Sequence, residues 1–194
     1  MIYLDDKLPT SIELGEVVYP LDLSFNNVIS ALRPLKDSEL MAMDKVELFL
    51  TIIMVDDPPE FELWQELMTG INEVIRSEPI VPIKRDQNGD PMPVKPDNDK
   101  PDFDFDFDAR YIYSAFLQAY GIDLYDQQGK LHWLKFVSLL NALPEDTMFR
   151  QIRQIRSTKV SKIKDKEQRN QLLKQKEMFK LPDSDGEEVE DYGG

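Results

Sequence analysis

From Pro79 to Pro101 the chain holds six of its 13 prolines: Pro79, Pro82, Pro91, Pro93, Pro96 and Pro101, grouped around the turn dipeptide Asn88-Gly89. Proline fixes φ and has no amide hydrogen to donate, so neither a helix interior nor an inner strand can pass through such a segment. Apolar periodicity is also lost there, which marks a linker or long exposed loop. Any core must therefore come from the two blocks on either side. The expected organisation is an N-terminal hairpin plus helical lobe over 1–80, a flexible Pro/Asp-rich loop over 81–106, a C-terminal helical lobe over 107–181, and a disordered acidic tail over 182–194.

In the first block, Ile12, Leu14, Val17 and Val18 flank Gly15-Glu16, which reads as a tight β-hairpin whose second arm ends at Pro20. Ser24 is placed to cap a short helix through Val28, Ile29 and Leu32 that stops at Pro34. Val46, Phe49, Leu50, Ile53 and Met54 follow the helical i, i+3, i+4, i+7, i+8 stripe, and Leu48 and Ile52 add apolar surface on the other side. That helix is expected to be buried nearly all round. Asp57-Pro58-Pro59-Glu60 looks like a helix start with a capping box, followed by Phe61, Trp64, Leu67, Met68, Ile71, Val74 and Ile75 on one face.

The second block opens with strict alternation over Asp102-Phe103-Asp104-Phe105-Asp106-Phe107-Asp108. In an extended strand the four carboxylates would share one face. Calcium is the obvious thought, but the EF-hand glycine and distal glutamate are missing. Phenylalanines on the core and aspartates facing water or the basic C-terminal region is the better reading, with Asp108 at a helix N-cap position. Ile112, Tyr113, Phe116, Leu117 and Tyr120 then form a helical stripe ending at Gly121. A further helix carries Leu131, Trp133, Leu134, Phe136, Val137, Leu139 and Leu140. After it comes one starting at Pro144, with Phe149, Ile152 and Ile155 inward and arginines outward. The basic stretch runs on past a break near Asp165. The fold class is mainly α: a small helical bundle with a short N-terminal hairpin.

Charge is unevenly placed. The net formal charge is −14, yet residues 150–180 carry 11 Lys/Arg against 3 Asp/Glu, so the remainder stands at −22. Arg150, Arg153, Arg156 and Lys159 head a basic face that could track phosphates, but the overall negative charge argues against nucleic acid. An acidic partner, or the chain's own acidic loop, suits it better, and a solvated helix face is the default reading. There are no cysteines, so disulfides, thiolate metal sites and a cysteine nucleophile are excluded. Met1 to Asp6 lacks the pattern of a signal peptide, and the apolar run Val46–Val55 is far short of the roughly 20 residues a membrane span needs. A cytoplasmic protein is expected.

Catalysis finds no support in the sequence. His132 is the lone histidine and reads as a packed or half-exposed helix residue. Ser138 lies on the same helix, so no Ser-His-Asp set can be drawn, and there is no phosphate-binding glycine loop or His-Glu-x-x-His. No cofactor is implied. Met41, Met43, Met54 and Met68 would suit an adaptable binding groove, though methionines in cores are commoner.

Three runs carry a family resemblance: Phe107-Asp108-Ala109-Arg110-Tyr111-Ile112-Tyr113-Ser114-Ala115-Phe116-Leu117-Gln118-Ala119-Tyr120-Gly121-Ile122-Asp123-Leu124, Leu131-His132-Trp133-Leu134-Lys135-Phe136, and Ile152–Lys180 with Lys164-Asp165-Lys166. With Asp6-Lys7-Leu8-Pro9 and the hairpin around Gly15, the chain resembles a family of small phage proteins encoded beside the tape-measure gene in siphophages of Gram-positive bacteria. The resemblance implies a tail-assembly chaperone in the host cytoplasm, with the tape-measure protein as partner and the tail tube protein and self-association as further candidates. It implies no catalytic residues. A chaperone of a long, apolar-striped helical client needs an apolar groove and a charged exterior. The expected groove is the aromatic surface Tyr113, Phe116, Tyr120, Trp133 and Phe136. The alternatives are a structural tail or neck component kept in the virion and, behind it, a nucleic-acid-binding regulator acting through 150–180.

Overall fold

The computed structural model describes residues 5–76 and 102–182. Residues 81–101 of the expected loop and 183–194 of the expected tail lie outside the described residues. Seven α-helices, two short 3-10 segments and one two-stranded antiparallel sheet make the described part mainly helical with an N-terminal hairpin. None of the described helices is long and apolar enough to cross a membrane. The chain divides into two compact units, each discontinuous in sequence.

The first unit comprises described residues 5–76 and 123–142. Strands β1 (Ser11–Leu14) and β2 (Val17–Pro20) pair Leu14 with Val17 and Ser11 with Pro20. Gly15 turns the corner at φ 61° while Glu16 keeps a negative φ, the arrangement of a two-residue loop with glycine first. Helix α1 (Phe25–Lys36) runs through Pro34 instead of stopping there. So near the C-terminal end, few hydrogen bonds remain for the ring to disrupt. Ser24 precedes α1 but its hydroxyl makes no cap. Its backbone is taken up in a bridge to His132, and its amide donates to Asp22 Oδ1 at 3.0 Å.

Helix α2 (Ala42–Ile53) buries only Phe49, Leu50 and Ile53, and Met43 and Leu48 are exposed, so it is one-sided rather than buried all round. The Asp57-Pro58-Pro59-Glu60 run does not start a helix. It is irregular, and helical backbone begins with the 3-10 turn Phe61–Leu63, which leads into α3 (Trp64–Ile75). Two successive prolines hold the chain extended, since each disfavours helical backbone in the residue before it. Leu67, Ile71 and Ile75 form the buried stripe of α3, which packs on α2 and β1.

Residues 123–142 join this unit, although the apolar pattern groups them with 107–181. Backbone pairing brings them there: Trp133 N donates to Leu23 O at 2.7 Å, and Phe25 N donates to Leu131 O at 2.9 Å. Helix α5 (Trp133–Asn141, numbered after the second unit's α4, Ala109–Tyr120) then buries Trp133, Phe136 and Leu140.

The second unit comprises described residues 102–122 and 143–182. Helix α4 packs on α6 (Met148–Ser157), which packs on α7 (Lys166–Met178). Gly121 ends α4 at φ 64°, with its amide donating to Leu117 O. Pro144 is not the start of α6, because its carbonyl accepts from Thr147 in the turn before the helix. Asp165 caps α7 by accepting from Gln168 N at 2.8 Å.

Candidate functional site

Because α2 buries one side only, it leaves apolar side chains to form one wall of an open groove. Met43 and Val46, one turn apart on α2, face Phe61, Trp64 and Met68 from the 3-10 turn and α3, around a cavity of about 430 Å³. Gln65, Thr69 and Asn72 form its polar margin, together with Glu62. Met43 is 48% and Phe61 55% exposed, far more than core residues. The Trp64 ring is held in place: its Nε1 donates to Pro59 O at 2.9 Å, and Phe61 packs edge-on at 5.3 Å between centroids. Flexible methionine beside rigid, anchored aromatics can adapt to varied apolar side chains.

The five aromatic residues expected to line one surface fall in two units. Trp133 and Phe136 belong to the first, where Phe136 is fully buried and stacks on Phe25 at 4.8 Å and on Trp133 at 5.8 Å. Trp133 Nε1 donates to Ile75 O at 2.8 Å, and the residue is buried. Phe116 belongs to the second unit, fully buried and edge-on to Tyr120 at 5.7 Å. Tyr113 and Tyr120 on the same helix are half-buried, and burial pushes the Tyr120 phenol above its ordinary pKa. Phe116, Trp133 and Phe136 therefore serve the cores and offer no groove.

The four basic residues also part company. Arg156 is nearly buried and grips the fully buried Asp108 with two bonds, Nη1 to Oδ2 at 2.6 Å and Nη2 to Oδ1 at 2.9 Å. It further donates to Asp102 O and Phe179 O. Arg153 pairs with Asp102 at 2.8 Å and lies over the rings of Phe103 and Phe149. Arg150 and Arg153 line a small polar pocket with Asp102 and Glu145, and Lys159 is exposed beyond the end of α6.

The alternating Asp-Phe segment is thus no strand but a series of turns folded onto α6. Asp108 does not cap α4 with its side chain, since the carboxylate is engaged by Arg156 and by Asp104 N. Asp104 Oδ1 accepts from the amides of Asp106 and Phe107. With Asp102 taken by Arg153, three of the four aspartates act as hydrogen-bond acceptors for protein groups, without an ion.

His132 is the N-cap of α5 rather than a residue within it. Nδ1 accepts from Leu134 N at 3.2 Å, so Nε2 carries the proton and donates to Pro9 O at 2.8 Å. Sequence reasoning missed both this role and the groove. Its signal for the groove was the methionine-rich composition around 41–68, which does not say which methionines stay outside. Exposure of Met43 follows from the side of α2 that meets α1 and α3.

No curated protein and no solved structure matches the chain. A family model described as "Bacteriophage Gp15 protein" matches residues 4–181, nearly the whole sequence. The chain belongs to the bacteriophage Gp15 protein family.

Proposed function

We propose that this phage protein is a tail-assembly chaperone that binds the tape-measure protein during tail morphogenesis in the host cytoplasm, in a siphophage of a Gram-positive host. It works by reversible protein contact and not by catalysis. The observation that carries this reading is the open groove of Met43, Val46, Phe61, Trp64 and Met68, an exposed apolar cleft on a strongly acidic chain. An apolar-striped helical client needs such a cleft, and a net charge of −14 keeps the complex in solution. The engagement of Arg153 and Arg156 by Asp102 and Asp108 counts against the nucleic-acid reading, because phosphates would have to displace intramolecular ion pairs.

The test is co-expression with the tape-measure protein of the same phage, followed by affinity capture. A client that becomes soluble and co-purifies supports the chaperone. A client that stays insoluble while this protein elutes alone overturns it. Recovery of the chain from purified virions would instead favour a retained tail or neck component.

A further inference from the structure

The groove of the first unit lies in a strongly acidic stretch of the chain. Within residues 37–76 there are ten Asp/Glu against only Lys45 and Arg76. Glu62 lines the cleft itself. Glu66 and Glu73, seven residues apart on α3, lie on one helical stripe beside the polar margin of Gln65 and Thr69, and Glu47 follows one turn after Met43 on α2. All four are exposed, and no cation pairs with any of them among the described residues. An apolar floor with unpaired carboxylates along its edges selects both the shape and the charge of its occupant.

We infer that the groove takes a basic amphipathic α-helix, with apolar residues at i, i+3, i+4 and i+7 on the floor and Lys/Arg on the flanks towards Glu47, Glu62, Glu66 and Glu73. The floor is made by two helices, whose side-chain ridges accept a third helix better than a flat strand. Trp64 to Asn72 spans eight residues of rise, about 12 Å, which matches two to three turns of guest helix. This names the chemistry of the client segment and so rests on the chaperone reading, but its test does not need the client.

The probes are three synthetic helical peptides of about 15 residues with the same leucine stripe, one flanked by lysine, one by glutamate and one with its sequence scrambled. Binding to the full chain is followed by Trp64 and Trp133 fluorescence and by calorimetry. The lysine peptide should bind at least tenfold more tightly than either of the others. Phe61→Ser and Met43→Gln, both at exposed positions, should weaken it at least tenfold while far-UV circular dichroism is unchanged. The triple change Glu62→Lys, Glu66→Lys, Glu73→Lys should reverse the preference towards the glutamate peptide. Equal affinity for the lysine and glutamate peptides, no binding at all, or binding untouched by Phe61→Ser and Met43→Gln overturns the inference. If the groove variants still solubilise the tape-measure protein, the chaperone reading survives and this site for it is overturned. If the lysine peptide binds as stated but the tape-measure protein is never captured, the groove stands and the chaperone reading falls.

Discussion

Ser24 immediately precedes α1, and its backbone bridges to His132. By position it is an N-cap, and removing such a hydroxyl ordinarily costs about 1 kcal/mol. In the fold its Oγ is buried with no hydrogen-bond partner, and an unmade bond of this kind carries a penalty of about 1–3 kcal/mol. Ser24→Ala should therefore leave urea stability unchanged or raise it, whereas a loss near 1 kcal/mol would restore the capping role. Phe136 and Phe116 have the opposite balance. Each is fully buried, so truncation to alanine leaves a cavity and should destabilise its unit by about 3–5 kcal/mol. Phe61→Ser, at a site 55% exposed, should change stability by less than about 1 kcal/mol. Comparing these variants by denaturation separates core aromatics from surface aromatics, a distinction that residue type alone does not make.

At the level of elements, the second unit relies on a buried ion pair to hold an irregular segment against a helix. Arg156 joins Asp108, Asp102 O and Phe179 O, and Lys176 Nζ donates to Arg156 O at 2.8 Å, so the Asp-Phe turns, α6 and the end of α7 share one cluster. Removing one partner leaves the other charge buried and uncompensated. Arg156→Ala or Asp108→Ala should each cost about 3–5 kcal/mol, and the double variant should cost clearly less than the two singles combined. Additive losses in thermal denaturation would mean that the pair is not coupled. The end of α4 gives a milder case. Gly121 sits at φ 64° with nothing within 4 Å of an added Cβ, so Gly121→Ala meets only backbone strain of about 1–2 kcal/mol. Faster amide exchange should appear in the last turn of α4 and not in α6.

For the molecule as a whole the governing quantity is the division of charge, −22 outside residues 150–180 and +8 within them. Part of the positive set is already neutralised inside the second unit by Asp102 and Asp108. The acidic groove of the first unit has no such counterpart among the described residues. Capture of a basic client should therefore weaken by tenfold or more between about 0.05 and 0.5 M salt, as the screening length falls from about 14 to about 4 Å. Salt-independent capture would mean that the contact is apolar alone.

Local pattern along the chain was enough for the helical class, the hairpin with glycine at its turn, the end of α4 at Gly121 and the break before α7 at Asp165. Each of these depends on local periodicity or on one residue's backbone preference, which are properties of neighbouring positions. Partition of the chain was beyond its reach. Residues 123–142 fold with the N-terminal stretch through amide–carbonyl pairs between Leu23, Phe25, Leu131 and Trp133, and backbone pairing leaves no trace in side-chain pattern. The same limit applied to the candidate site. The apolar stripes of α2, α4 and α5 look alike in sequence, but only packing decided that Phe116, Trp133 and Phe136 fill cores while Met43 and Phe61 stay exposed.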